Sequence, residues 1–163
     1  MTEPLIRKAD QPGDLGWMVQ AHGEVYAREL GWDVEFEALV ARIVAEYAVS
    51  CDPDREAGWI AELDGRRVGC VLCVRETDED AKLRILLVDP AARGHGLGRA
   101  LVAACVDFAR SAGYQRIGLW TNDVLTSARV IYEKAGFRLV EEEPHHSFGQ
   151  HLVGQSWSLE LTD

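Results

Sequence analysis

The stretch "VDPAARGHGLG" (Val88–Gly98) sets a proline two residues past an apolar strand, then Arg93, then glycines at 94, 96 and 98. One glycine is enough for an ordinary strand-to-helix connection. Three at alternate positions strip the side chains from a helix start, where the first four N–H groups have no intrahelical partner and the end is partly positive. An anion can then approach the main chain closely, and Arg93 adds a formal charge at the mouth. The pattern reads as a pocket for phosphate oxygens, of the kind a diphosphate fills.

Just before it, "AKLRILLV" reads as a strand whose second half is apolar on both faces, as suits a central strand covered by helices. Just after it, Leu97, Leu101, Ala104, Cys105, Phe108 and Ala112 recur at helical spacing up to Gly113. Further upstream, "PLIRKAD" is a short strand. Leu15, Met18, Val19, His22, Val25, Tyr26 and Leu30 then mark a helix from Asp14 to Leu30, ended by Gly31. Asp33 is placed to cap a second helix with the stripe Phe36, Leu39, Val40, Ile43, Val44 and Tyr47. "GWIAEL" and "RRVGCVLCVRE" make a hairpin around an Asp64-Gly65 turn. Downstream lie the strand "YQRIGLWT" and a helix from Val124 to Ala135, ended by Gly136. The strands "FRLVEE" and "LVGQSWSLEL" follow, with "EPHHSFGQH" looping between them. The order is that of an α/β (α+β) domain over residues 1–163. It has about seven strands in a mixed, mostly antiparallel sheet flanked by four helices.

Charge and composition narrow the class. With 17 basic against 27 acidic side chains the net charge is −10, which argues against nucleic acid and suits amine-bearing partners. The N-terminus has no apolar run behind a basic start, and no stretch approaches the roughly 20 apolar residues of a membrane span. The expectation is a cytoplasmic protein without membrane contact. Cys70 and Cys73 form a C-x-x-C, but on a strand positions three apart face opposite ways. No second Cys/His pair stands at zinc spacing, so the thiols are read as core and no metal is expected.

Two familiar phosphate motifs do not fit the glycines. A Walker loop needs a lysine that is missing, and the dinucleotide fingerprint has other spacing and opens the first strand–helix unit. "VDPAARGHGLGRALV" instead resembles the acetyl-CoA motif Arg/Gln-x-x-Gly-x-Gly/Ala of the GNAT superfamily of N-acetyltransferases, with Arg93, Gly96 and Gly98 in the defining places. "ARVIYEKAGFRLV" resembles the family's second signature through Ala128, Tyr132, Gly136 and Phe137. The element order is also the GNAT order. The chain most resembles the GNAT modules found behind MarR-type winged helices, here without the DNA-binding part.

The resemblance implies a GNAT fold and acetyl-CoA as acyl donor. The main chain of Leu86, Leu87 and Val88 would hold pantetheine, and an N–H near Leu86 would polarise the thioester carbonyl. The amides of Arg93, Gly94, His95, Gly96, Leu97, Gly98 and Arg99 would hold the pyrophosphate. Acetyl would pass to a primary amine of a small molecule or peptide by direct attack. Tyr132 matches the family's general acid, its alternative being a core tyrosine. The usual family asparagine position holds Leu125. Asn122, one turn earlier, either replaces that contact or caps the helix. Asp80 and Glu79 are the nearest equivalents of a base some relatives use. Arg84 and Lys82 share a strand face, where Arg84 either grips an anionic group of the acceptor or sits in a surface ion pair. His145 and His146 fall in the last loop, and Glu24, Tyr26 and Trp32 sit where relatives shape the acceptor site. A homodimer fits the fold. The competing class is a non-catalytic acyl-CoA-binding regulatory module, which needs no proton donor.

Overall fold

A computed structural model describes residues 3–162. Its strands are β1 (Leu5–Lys8), β2 (Ala57–Leu63), β3 (Arg66–Arg75), β4 (Asp80–Val88), β5 (Arg116–Asn122), β6 (Arg138–Ser147) and β7 (Gln150–Glu160). Its α-helices are α1 (Asp14–Leu30), α2 (Val34–Ser50), α3 (Leu97–Ser111) and α4 (Thr126–Ala135). The seven strands form one sheet in the order β1-β2-β3-β4-β5-β7-β6. Every neighbouring pair is antiparallel except β4 and β5. This is the mixed, mostly antiparallel architecture that the element order implied.

Several boundaries follow from local chemistry. Gly31 ends α1 in the left-handed region at φ 72°, and its N–H returns to the Ala27 carbonyl. The Asp33 carboxylate accepts from the Glu35 N–H at 3.0 Å and starts α2. Two expectations need correction. Helix α4 starts at Thr126, not Val124, because Leu125 takes the non-helical φ −84° and ψ 66° of an N-cap and its carbonyl accepts the first helical bond, from the Arg129 N–H. The "PHHS" segment is not a loop: β6 runs through it to Ser147, and Phe148-Gly149 turns the chain. Most of β6 is exposed at the sheet edge, so it shows no apolar alternation, and an edge strand tolerates Pro144.

The sheet separates two cores. On one face α1 and α2 deliver Met18, Val25, Val40 and Val44 onto Ile60, Cys70 and Leu72. On the other, α3 and α4 deliver Leu101, Cys105 and Tyr132 onto Trp59, Val71, Cys73 and Ile117. Cys70 and Cys73 therefore lie in different cores, both free thiols. Burial pushes the Cys70 and Cys105 thiols up, away from the reactive thiolate. Among the described residues no cluster could hold a metal ion, and no helix is long and apolar enough to cross a membrane.

A bulge in β4 decides where the site lies. The β3–β4 register shifts between the pairs Leu72↔Arg84 and Cys70↔Leu87, so two residues of β4 oppose one of β3. Ile85 takes φ 51°, a conformation a β-branched residue adopts at a cost of about 1–2 kcal/mol. The extra residue reverses the facing of the strand. Ala81 and Leu83 belong to the α3/α4 core, whereas Ile85 and Leu87 pack on the α1/α2 side. The doubly apolar end of β4 is explained by this reversal together with its helix cover.

Candidate functional site

Beyond the bulge the sheet opens. Strands β4 and β5 pair only over Asp80–Lys82 and Arg116–Gly118, which leaves the β5-facing edge of the later β4 residues without a ladder. A cavity of about 630 Å³ occupies the gap. Leu86, Leu87 and Val88 line one side, Arg93, Gly94, Gly96, Leu97, Gly98 and Arg99 the floor, and residues 124–128 with Ile131 the other wall.

The glycine segment builds the floor, where Gly98 makes room for Ile131 of α4, 2.7 Å from where its Cβ would stand. The chain leaves β4 through a single 3₁₀ turn, Pro90–Ala92, whose start is capped by Asp89 accepting from the Ala91 N–H at 2.9 Å. Gly94 and Gly96 sit at φ 92° and 72°, and a Cβ at either would point into open space. Gly96 is the N-cap of α3 and has no side chain to satisfy the first amides, so these remain available to an anion. His95 is exposed and lies outside the cavity lining. Arg93 is not idle in this state: its guanidinium pairs bidentately with Glu29 of α1, at 2.8 and 3.2 Å. The sequence held no sign of that partner, which stands 64 residues away.

A second cavity, about 110 Å³, adjoins the first and shares Tyr26, Leu86, Leu125 and Ala128 with it. Its walls include His22, Trp32 and Phe36 from the α1/α2 side, Lys82, Arg84 and Ile85 from β4, Trp120 and Asn122 from β5, and Tyr132 from α4. Tyr26 stacks on Phe36 at 4.8 Å, and Trp32 packs on Phe148 at 4.9 Å, so the β6–β7 turn closes the aromatic end. Tyr132 is 5% exposed, and burial, with Tyr26 and Cys105 nearby, holds its phenol above the usual tyrosine value.

The two β4 cations face this cavity. Lys82 lies 4.0 Å from Glu76, too far for a firm bond, and burial, together with the charge of Arg84, lowers its pKa. Arg84 makes no ion pair among the described residues.

The remaining sequence candidates divide. Asn122 neither caps α4 nor lines the larger cavity: its Oδ1 accepts from His145 Nε2 at 2.8 Å, and it borders the smaller cavity. His145 is thus tied to the smaller cavity through Asn122, with Ser147 Oγ 2.9 Å from Nδ1 and the Trp120 ring 5.3 Å away. Glu24 is corrected outward: it is exposed on α1 and accepts from Gln20. His146 is likewise exposed, packed on His151, because neighbours on a strand face opposite ways. Asp80 and Glu79 are committed to Arg116, at 2.9 and 3.7 Å, and border neither cavity.

Residues that reasoning from sequence passed over include His22, counted only as a member of an apolar stripe. The imidazole is 1% exposed, and burial drives it down to about 4 against the opposing pull of the Met18 and Ile85 carbonyls. Its polarity among aliphatic neighbours was the available signal.

Comparison with known proteins agrees with this geometry. The model of the acetyltransferase (GNAT) family matches residues 18–137. Human N-acetylaspartate synthetase is 34% identical over 150 residues, covering 85% of this chain and 48% of that protein. The zebrafish (Danio rerio) N-acetylaspartate synthetase is 37% identical over 91 residues, 55% of this chain and 32% of that protein. The chain therefore spans between a third and a half of these relatives. A Salmonella typhimurium protein assigned as an acetyltransferase, solved with its cofactor acetyl-CoA, superposes with TM-score 0.78 at 19% identity, covering 99% of this chain and 96% of that one. Fold, glycine floor and family match converge on one identity: the chain belongs to the GNAT acetyltransferase family.

Proposed function

We propose that the protein transfers acetyl from acetyl-CoA to the primary amine of a small acceptor that also carries a carboxylate. The observation that carries this reading is the pair of cavities meeting at Leu86, one with a floor suited to a diphosphate and one lined by Tyr132, Lys82 and Arg84. The larger cavity fits acetyl-CoA. Its floor is free of Cβ atoms at Gly94 and Gly96, and its β4 wall leaves backbone groups unpaired for an extended pantetheine.

The reaction follows from placement. An amine seated in the smaller cavity attacks the thioester carbonyl near Leu86, and a carbon–nitrogen bond forms as the carbon–sulfur bond breaks. Bringing amine and thioester together supplies much of the rate, and no enzyme nucleophile is needed. The departing thiolate takes the Tyr132 proton, and the phenolate recovers one from the nitrogen that has become positive. The products are an amide and a thiol. A phenol held above its usual value stays protonated at neutral pH but is a weaker acid than free tyrosine, so its proton moves to the sulfur only as the nitrogen's proton replaces it.

The acceptor class rests on charge. Two cations on one face of β4 repel each other, and among the described residues the carboxylate paired with either is Glu76, 4.0 Å from Lys82. A carboxylate on the acceptor would relieve that repulsion and fix the orientation of the amine. Relatives named for N-acetylaspartate point the same way. All four thiols are free, which suits a reducing compartment such as the cytoplasm. Thiol release from acetyl-CoA with L-aspartate, ethylamine and a peptide N-terminus as acceptors tests the reading. Turnover fastest with L-aspartate supports it. Acetyl-CoA binding without turnover on any acceptor would favour a binding module instead.

A further inference from the structure

The unexplained group in the smaller cavity is His22. It is buried at 1% exposure in the middle of α1, yet no described residue satisfies its Nε2. The other ring nitrogen fixes the tautomer. Nδ1 lies 2.7 Å from the Met18 carbonyl, which can only accept, so Nδ1 carries the hydrogen. Nε2 is then an unpaired lone pair with almost no accessible surface, in a residue that lines the cavity, and the imidazole lies 5.8 Å from the Tyr26 ring and 6.1 Å from the Phe36 ring, centroid to centroid. An unsatisfied acceptor at such a site costs about 1–3 kcal/mol. A leucine would fill the stripe without that cost.

We propose that His22 Nε2 is the seat of the acceptor nitrogen: it accepts a hydrogen bond from the incoming amine and aims it toward Leu86. The inference rests on reading the smaller cavity as the acceptor site. Ile85, held in the left-handed region, lines the same cavity, and its carbonyl, which accepts from the Cys70 thiol at 3.4 Å, acts on the same ring. The burial that keeps the imidazole neutral also makes it a poor base. His22 therefore positions the nucleophile and does not carry its proton away. The cation pair Lys82 and Arg84 lines the same cavity, which leaves opposite ends of an amino acid to opposite kinds of group.

Two variants and one spectrum test it. His22→Leu should raise the acceptor KM for L-aspartate about tenfold or more while acetyl-CoA Kd stays within about twofold, the range a buried hydrogen bond spans. His22→Gln, whose carbonyl oxygen stands where Nε2 stood, should recover most of that loss at a similar melting temperature. In histidine-15N-labelled wild-type protein holding coenzyme A, the His22 Nε2 resonance should be that of an unprotonated nitrogen. It should move when ethylamine is added and stay when succinate is added. A leucine variant with wild-type KM, a glutamine variant no better than leucine, or an Nε2 resonance indifferent to ethylamine would each overturn the proposal. Failure of acetyl-CoA itself to bind would instead strike the proposed function, and the binding titration reads that separately.

Discussion

The Arg93 guanidinium is held by Glu29, and Glu29→Gln removes the charge that competes with a diphosphate for it. Both residues line the larger cavity, with Nη2–Oε1 at 2.8 Å and Nη1–Oε2 at 3.2 Å. The side chains are 52% and 34% exposed, so water and salt screen the pair and its worth is about 0.2–1 kcal/mol. Releasing Arg93 returns that amount to the ligand, and one negative charge also leaves the mouth of the site. Acetyl-CoA should therefore bind about 1.4- to 5-fold more tightly to the variant. Isothermal titration at low salt reads the change, and repeating it at ~0.5 M salt should shrink the gain as screening takes over. Weaker binding in Glu29→Gln would refute the reasoning, because it would mean that the pair organises the loop and does not compete with the ligand.

Other consequences are equally specific. Tyr132→Phe keeps the ring packed near Phe137, 5.8 Å away, but deletes the proton donor: kcat should fall about 10²-fold or more with acetyl-CoA Kd unchanged, and equal turnover would remove the assignment. Gly154→Ala would bring a Cβ within 2.7 Å of the Trp120 ring, which must swing. Acceptor KM should then rise with acetyl-CoA affinity intact, as steady-state kinetics and titration will show. Asp14, fully buried, accepts from Arg7 and Arg67 at 2.8 Å each, and Arg7 chiefly holds its carboxyl well below the usual range. A depressed folded pKa means that stability is present above the unfolded value near 3.9 and is lost as pH falls below it. Asp14→Asn should cost about 1.5–3 kcal/mol in urea unfolding at pH 7, less below pH 4, since Arg7 keeps Glu62 as a partner. A pH-independent loss would contradict the linkage.

How far the sequence reached depended on the kind of physics involved. The bounds of α1 were legible because an apolar stripe and Gly31 both mark them, and Asp33 announced α2 through its cap. The glycine floor was legible because its chemistry is local backbone geometry. The β4 bulge was not: Ile85 is a poor residue for a left-handed position, and only the packing of strands and helices around it forces it there. The β6 extension was hidden because an exposed edge strand needs no alternating pattern. The Arg93–Glu29 and His145–Asn122 pairs join residues 64 and 23 apart, which no local pattern encodes. His22 was read only as a member of an apolar stripe, and its unpaired nitrogen belongs to the tertiary structure.

The most direct test of the account follows backbone amide resonances while acetyl-CoA is titrated into 15N-labelled protein. The largest shifts should fall on Gly94, Gly96, Gly98 and Arg99, followed by Leu86 to Val88, with smaller changes across the acceptor cavity. Saturable binding that leaves the start of α3 unmoved would contradict the claim that its bare amides hold the diphosphate.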